Sequence, residues 1–277
     1  MTIPFFSIVI ATYNCANFLE AAIKSVLNQS CQDFELIIVD GGSKDSSVDI
    51  IKKYQDRIAW WVSEPDAGQS DAFNKGYSHA SGRFYTWLNA DDILLPDTLQ
   101  KVKSKLEANP WASWATGNFF RFTESDKRII EAQWGPHFLP SFLQTPNSPL
   151  AIFGPTTFWS CDIYKEIGGL DENLHYAMDT DYWIRIMKAG HKQVRVNHFC
   201  WAFRMHENSK TAEFGDHKSS PEVQVKKRAE AVYIFQKSSY KVSKVRRIVG
   251  IFMRFVDLSV MRAFYNKLFV VGKTFNG

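Results

Sequence analysis

Cysteine is scarce in this chain of 277 residues, and its distribution excludes two classes of protein. The four cysteines, at positions 15, 31, 161 and 200, form no CxxC pair, which argues against a zinc site and against a dense disulfide framework. The first residues also lack the basic segment followed by an apolar segment that is typical of a secretion signal. We therefore expect reduced thiols and an active part that stays in the cytoplasm.

Acidic residues are rare in the last part of the chain. Residues 218–277 carry 13 lysines and arginines against 3 acidic residues, whereas residues 1–217 carry 20 against 26. The net charge of +4 therefore hides an acidic body and a basic tail. Internal repeats and low-complexity segments are absent, and a hydrophobic content of 45% suffices for one large core or for one core plus an appendage.

Strand and helix patterns alternate along the first part of the chain. Apolar runs typical of buried parallel strands cover residues 6–10, 34–39, 58–63 and 83–88. Segments with helical spacing of apolar residues cover 16–29, 46–55 and 70–80. This alternation predicts a doubly wound α/β sheet with its ligand crevice at the carboxyl ends of the strands.

The pattern loosens after a fourth helix at residues 96–109. Residues 114–122 and 128–134 are typical of strands, and residues 179–189 return to helical spacing. Residues 136–155 are rich in proline, so we expect them to form a loop that crosses the site.

The apolar run at residues 83–88 ends on Asn89-Ala90-Asp91-Asp92. Adjacent acids at the exposed end of a buried strand repel each other and lose hydration, so they are tolerated best where a divalent cation sits between them and an anionic ligand. We expect that ligand to be a nucleotide diphosphate. Thr12, Tyr13 and Asn14 end the first strand at the same edge, where they can border a nucleotide.

Three motifs in this order resemble the family-2 inverting glycosyltransferases. They are the segments 7–14 (SIVIATYN), 39–45 (VDGGSKD) and 89–92 (NADD), and the resemblance covers about residues 5–210. It implies a GT-A fold, a Rossmann-like doubly wound mixed sheet flanked by helices. It also divides the chain into a catalytic domain at residues 1–215 and a basic, amphipathic helical extension at residues 216–277.

The resemblance implies roles for particular residues. The residues it places around the nucleotide-sugar donor are Thr12, Tyr13, Asn14, Asp40, Gly42, Ser43, Asp66, Gln69, Asp71, Asn74, Lys75, Asn89, Ala90, Asp92 and Arg204. The residues it places on a divalent cation, Mn²⁺ or Mg²⁺, are Asp91 and His206. Asp179 maps to the general base that takes the proton of the acceptor hydroxyl.

Several residues also have a purely structural interpretation. As a minority alternative, Asp40 would simply cap the glycine turn that follows it, and Asp92 would cap the following helix. Lys75 suits a solvated helix face, and His206 a surface loop. The chain departs from the family pattern at Phe73, Asn89 and Met178, where many relatives carry arginine, aspartate and glutamate.

The basic tail mixes aliphatic and aromatic residues with lysines and arginines over residues 241–271. Charges recur too often there for a membrane-spanning helix, whereas basic amphipathic helices lie on anionic membrane surfaces. We expect contact with the inner face of the cell membrane. The alternative is a helical extension that packs on the catalytic domain or on a second subunit.

The function that these expectations favour is metal-dependent, inverting transfer of a sugar from a nucleotide-diphosphate donor. UDP is the commonest nucleotide in the family, and the acceptor would be a hydroxyl of a saccharide or of a polyprenyl-diphosphate-linked saccharide in surface polysaccharide synthesis. Nucleic acid is not an expected partner. The alternatives are a nucleotidyltransferase and a degenerate, non-catalytic GT-A binding protein.

Overall fold

Alternating strands and helices build the first part of the fold. A computed structural model describes residues 2–135, 154–207, 221–238, 265 and 267–275. The elements up to the acidic motif are β1 (Phe6–Thr12), α1 (Ala16–Leu27), β2 (Phe34–Asp40), α2 (Ser47–Lys53), β3 (Trp60–Ser63), α3 (Gln69–Ser78) and β4 (Phe84–Asn89). All seven correspond to strands and helices predicted from the sequence.

The remaining elements complete the sheet and cover it. They are β5 (Ile93–Leu94), α4 (Thr98–Glu107), β6 (Trp114–Thr123), β7 (Ile129–Gln133), β8 (Thr157–Ser160), α5 (Cys161–Ile167), α6 (Met178–Lys188), β9 (Gln193–Met205) and α7 (Pro221–Lys237). The sequence pattern missed β5, β8, β9 and α5. The predicted loop at residues 136–155 lies outside the described residues except for its last two positions.

One mixed sheet contains the nine strands of the described residues. Its order is β3-β2-β1-β4-β8-β6-β9-β5, with β7 paired to β6. β1 pairs in parallel with both β2 and β4, whereas β8 is antiparallel to β4 and β6. The predicted doubly wound mixed sheet flanked by helices is therefore confirmed.

The register brings three carboxyl ends to the same edge of the sheet. Thr12 of β1 lies opposite Asp40 of β2, and Ala11 lies opposite Asn89 of β4. The loops that follow β1 and β4 consequently start side by side, as expected at the ligand crevice of an open α/β sheet.

Alternation along the central strands divides the core between the two faces of the sheet. Ile8 and Ile10 pack with α1 and α4 on one face, whereas Val9 packs with α3 and α6 on the other. The second face is rich in aromatic rings, and Trp87 of β4 stacks on Trp183 of α6 with centroids 5.3 Å apart. This stack fixes α6 against the strand that leads into the acidic motif.

The described residues near the C-terminal end of the chain pack on the body formed by the sheet and its helices. Ile234 of α7 is 1% exposed within the aromatic core, and Phe275 contacts Phe120 and Phe122. None of the helices in the described residues is both long and apolar enough to cross a membrane. Most of the basic stretch at residues 241–271 lies outside the described part of the chain.

Candidate active site

A cavity of about 890 Å³ opens at the carboxyl ends of β1 and β4, a volume typical of small-molecule sites. It is lined by residues that follow β1, by residues of the acidic motif after β4, by His206 after β9 and by the start of α6. The residues predicted from the sequence that line it are Thr12, Tyr13, Asn14, Asp66, Gln69, Asn89, Ala90, Asp91, Asp179 and His206. The fold thus brings together ten predicted site residues that span almost 200 positions in the chain.

The loop after β1 is held in shape by Asn14. Its φ of +48° lies in the left-handed region, which asparagine adopts more readily than most residues. The backbone N–H of Asn14 donates to Ser43 Oγ at 2.7 Å, and its side-chain oxygen accepts from the backbone N–H of Lys44 at 2.8 Å. The loops after β1 and β2 are therefore tied together at the rim of the cavity.

The acidic motif at residues 89–92 meets the segment that carries Arg204 and His206. Asp91 Oδ2 lies 3.1 Å from Nε2 of His206, the residue that follows β9. Arg204, two residues earlier, donates from Nε to the backbone carbonyl of Asp91 at 2.6 Å. The guanidinium of Arg204 also forms an ion pair with Glu124, and Arg204 does not line the cavity.

Asp92 faces away from the cavity and is fully buried. Its two oxygens accept from the backbone N–H of Arg204 at 2.9 Å and from the side-chain amide of Asn89 at 2.8 Å. Burial, with a further contribution from Asp91, raises the pKa of Asp92 well above its ordinary value. Its hydrogen bonds indicate that Asp92 supports the motif and that Asp91 is the carboxylate presented to the cavity.

Asn89 completes the same network. It accepts at its side-chain oxygen from Gln69 Nε2 at 2.8 Å while donating to Asp92. An ionised aspartate at this position would be unable to donate to Asp92. The departure from the family pattern at Asn89 therefore has a structural reason.

Asp91 and His206 have the chemistry of a divalent cation site. A carboxylate oxygen and an imidazole nitrogen both line the cavity and already lie within contact distance. No group of three or more histidine, cysteine, aspartate or glutamate side chains suited to a metal occurs in the described residues. Asp91 and His206 would hold such a cation, which would supply positive charge to a bound diphosphate.

Asp179 lies on another part of the cavity wall, in the first turn of α6. Its Oδ1 accepts from the backbone N–H of Thr180 at 2.6 Å. Burial raises the pKa of Asp179 to about 6, although the bonds from Thr180 oppose that rise. Asp181 is buried instead against Arg185, whose Nε donates to it at 2.7 Å, so the two acids of this segment have different surroundings.

The other predicted donor residues lie outside the cavity lining. Asp40 is fully buried and accepts from the backbone N–H groups of Gly42 and Ser43 at 3.2 and 3.0 Å and from Ser63 Oγ at 2.6 Å. These contacts match the turn-capping alternative for Asp40. Gly42, with φ +81°, and Ser43 form that turn, so they help to shape the rim without lining the cavity.

The predicted residues of α3 other than Gln69 also point away from the cavity. Asp71 accepts from the backbone N–H of Ala67 at 2.8 Å, at the start of the helix. Asn74 bonds both to the N–H and to the carbonyl of Leu170, and Lys75 pairs with Glu64 at 2.7 Å. These contacts hold α3 in place.

Several residues of the cavity were not predicted from the sequence. They include Cys15, Phe18, Trp87, Arg121, His175, Tyr176 and Lys227. Lys227 comes from α7, almost fifty residues after Asp179, and no local motif marks it. Tyr176 and His175 precede the Asp179 segment directly, so proximity in sequence was an available signal.

Comparison with known proteins identifies the class to which this fold and cavity belong. The family model "Glycosyl transferase family 2" matches residues 7–168. The chain belongs to this family. The match includes the first three motifs and ends before Asp179 and His206.

Similar sequences carry related names. A PGL/p-HBAD biosynthesis glycosyltransferase of Mycobacterium bovis is 41% identical over 190 residues, which cover 67% of this chain and 70% of that protein. An uncharacterized glycosyltransferase of Rickettsia typhi is 28% identical over 195 residues, covering 67% of this chain and 59% of that protein. The matched part thus spans about three fifths of the length of the Rickettsia relative.

Solved structures show the same fold at low sequence identity. Residues 1–349 of Staphylococcus aureus TarS in complex with UDP-GlcNAc align with a TM-score of 0.63 and 16% identity, covering 96% of this chain and 76% of that one. The mannosyltransferase PcManGT from Pyrobaculum calidifontis, in complex with GDP-Man and Mn²⁺, aligns at 0.58 and 15% identity, covering 97% and 88%. The GT-A-like α/β fold is therefore shared.

Proposed function

We propose that this protein is an inverting glycosyltransferase that moves a sugar from a nucleotide-diphosphate donor, preferably a UDP-sugar, to an acceptor hydroxyl. The observation that carries the proposal is that Asp91, His206 and Asp179 line one cavity at the carboxyl ends of β1 and β4. The first two supply a site for a cation and a diphosphate. The third supplies a carboxylate whose pKa suits proton abstraction near neutral pH.

The donor would lie along the edge formed by β1 and β4. Asp91 and His206 would hold a Mn²⁺ or Mg²⁺ ion, which would supply positive charge for the departing diphosphate. Thr12, Tyr13 and Asn14 would border the nucleoside on the wall formed by the first loop. Asp66 and Gln69 line the same cavity and would contact the donor sugar or its ribose.

Asp179 would act on the acceptor. Its carboxylate would take the proton of the acceptor hydroxyl while that oxygen forms a bond to the anomeric carbon from the face opposite the diphosphate. The bond between the anomeric carbon and the diphosphate oxygen breaks with its electron pair leaving on the diphosphate. A single displacement of this kind inverts the anomeric configuration.

The comparisons support a nucleotide-diphosphate sugar as the donor. They do not decide which nucleotide it carries. UDP-GlcNAc is bound in the TarS complex, and GDP-Man with Mn²⁺ is bound in PcManGT. Both ligands are nucleotide-diphosphate sugars. We favour UDP for this chain because it is the commonest choice in the family.

We further propose that residues 1–215 form the catalytic domain and residues 216–277 an extension that holds the protein at the inner face of the cell membrane. A cytoplasmic enzyme placed there would meet a lipid-linked saccharide acceptor of surface polysaccharide synthesis. The basic, apolar composition of residues 241–271 supports this. Sedimentation with vesicles tests it: binding to vesicles that contain anionic lipid, weakened by salt, is expected, and equal recovery with neutral vesicles would contradict it.

The donor site is tested by thermal unfolding with UDP, GDP, dTDP or CMP, each with and without Mn²⁺ or Mg²⁺. At about 100 times Kd, a ligand of the native state stabilises it by about 2.7 kcal/mol, a shift of several degrees for a chain of this size. We expect a metal-dependent shift with a diphosphate in the wild type and in Asp56→Asn, an exposed control. The shift should vanish in Asp91→Asn, and no shift with any nucleotide would favour the non-catalytic alternative.

A further inference from the structure

Helix α7 follows the matched family segment and yet touches the wall that carries Asp179. Four of its residues follow a spacing of three, four and three, which places them on one helix face: Lys227, Glu230, Ile234 and Lys237. Ile234 is buried in the aromatic core, and Lys237 pairs with Asp171 at 2.5 Å. The same face therefore docks on the catalytic domain along its whole length.

Glu230 holds the segment that leads into α6. Its Oε1 accepts from the backbone N–H of His175 at 2.9 Å, and its Oε2 accepts from those of Tyr176 and Ala177 at 2.8 and 3.0 Å. Three charge-assisted hydrogen bonds from consecutive N–H groups fix the path of the chain at this point. Ala177 immediately precedes α6 as its N-cap residue, and Asp179 is the second residue of that helix.

The segment that Glu230 holds is also part of the cavity wall. All six residues from His175 to Thr180 line the cavity, and Lys227, one turn before Glu230, lines it too. The donor-side residues Asp91 and His206 instead follow β4 and β9, and their side chains contact each other. Glu230 is therefore placed to affect the Asp179 side of the cavity separately from the donor side.

We propose that Glu230 is a positioning residue for the glycosyl transfer: through the backbone of residues 175–177 it sets the position of Asp179 and of the acceptor-side wall. This inference rests on the proposed function of Asp179 as the base. It makes α7 part of the active site, although the family model ends at residue 168. A misplaced base weakens transfer because a shift of about 1 Å can reduce the rate about 10²-fold.

The test compares Glu230→Gln and Glu230→Ala with Glu222→Gln, the same chemical change at an exposed position of α7. A glutamine keeps one accepting oxygen and loses the other, so we expect kcat to fall roughly tenfold in Glu230→Gln and up to about 10²-fold in Glu230→Ala. Nucleotide affinity in the presence of Mn²⁺ should stay within about twofold of wild type. Glu222→Gln should match wild type in both measurements.

Hydrogen exchange of the backbone amides at residues 175–177 gives a readout that needs no transfer. We expect faster exchange there in both Glu230 variants and unchanged exchange in Glu222→Gln. Wild-type exchange in Glu230→Ala would show that the contact is absent. Faster exchange with an unchanged kcat would overturn the positioning role, whereas a wild-type protein that binds nucleotide without transferring sugar would overturn the proposed function instead.

Discussion

His206 Nε2 lies 3.1 Å from Asp91 Oδ2 at the edge of the cavity, joining residues that are 115 positions apart. Asp91 follows β4, and His206 follows β9. Their meeting depends on the placement of β9 beyond β8 and β6 in the sheet. The pair forms the donor end of the proposed site.

Replacing His206 should weaken metal-dependent nucleotide binding. In His206→Ala we expect the affinity for a nucleoside diphosphate in Mn²⁺ to fall at least about tenfold, because even changes to the partners of metal ligands cost roughly 10–100-fold in metal affinity. Titration calorimetry with and without Mn²⁺ measures this. His198→Ala is the control, since that ring bonds to the Pro96 carbonyl at 2.9 Å and does not line the cavity; equal losses in the two variants would contradict the assignment.

Restoring the family's acid at position 89 should harm this protein. Asn89→Asp replaces the donor to the buried Asp92 with a second carboxylate, so we expect the free energy of unfolding to fall by about 2–4 kcal/mol at pH 7.5. The loss should shrink at lower pH, where one protonated carboxyl can donate to the other. Denaturant unfolding at both pH values tests this against Asn28→Asp, an exposed position at the C-cap of α1, where the new negative charge should cost no more than about 1 kcal/mol; a fully stable Asn89→Asp would refute the network.

Asp40→Asn distinguishes the two interpretations of Asp40, which are direct contact with the donor and capping of the turn after β2. Because its carboxylate accepts from two backbone N–H groups and two serine hydroxyls, we expect a loss of about 1–3 kcal/mol in the free energy of unfolding. The nucleotide-induced shift in Tm should persist. A variant of unchanged stability that loses this shift would instead establish direct donor contact.

Transfer should depend on pH through Asp179. Because burial raises the pKa of Asp179 to about 6, the rate should fall about tenfold per pH unit below that value and level off above pH 7. The pH profile of kcat measures this. A flat profile between pH 5 and 7 would contradict the role of Asp179 as base.

Burial of Asp179 also makes the stability of the folded state depend on pH, but in the opposite direction to the rate of transfer. Since the pKa of Asp179 is higher in the folded state than the unfolded value of about 3.9, the folded state binds more protons between about pH 4 and 6, and stability falls as pH rises through that range. Asp179→Asn should therefore raise the free energy of unfolding at pH 7.5, by about 1–3 kcal/mol, and change it little at pH 4. Equal effects at the two pH values would show that Asp179 is not held at a raised pKa.

The first part of the fold follows from sequence periodicity because its strands are apolar on both faces. Ile8, Val9 and Ile10 are all buried, and the intervening helices carry apolar residues at helical spacing. The strand β9 could not be predicted in this way. It mixes Arg195, Asn197 and His198 with apolar residues, and its pairing with β6 and β5 in the folded sheet makes it a strand.

The candidate site was predictable where residues end a strand of the parallel core. Asp91 and Asn14 lie at such ends, so the position of the crevice follows from the alternation of strands and helices. Asp40 was expected at the same edge, but its carboxylate satisfies the turn beneath it. The contribution of α7 depends on tertiary docking of Glu230 and Lys227, which no local pattern specifies.

The measurement that tests the central claim most directly compares two properties of Asp179→Asn: its rate of sugar transfer and its affinity for the nucleotide. We expect transfer to fall about 10²–10⁴-fold, the usual contribution of a general base, while the Mn²⁺-dependent binding of the nucleoside diphosphate stays as in wild type and in Asp56→Asn. Near-normal transfer by Asp179→Asn would contradict the account.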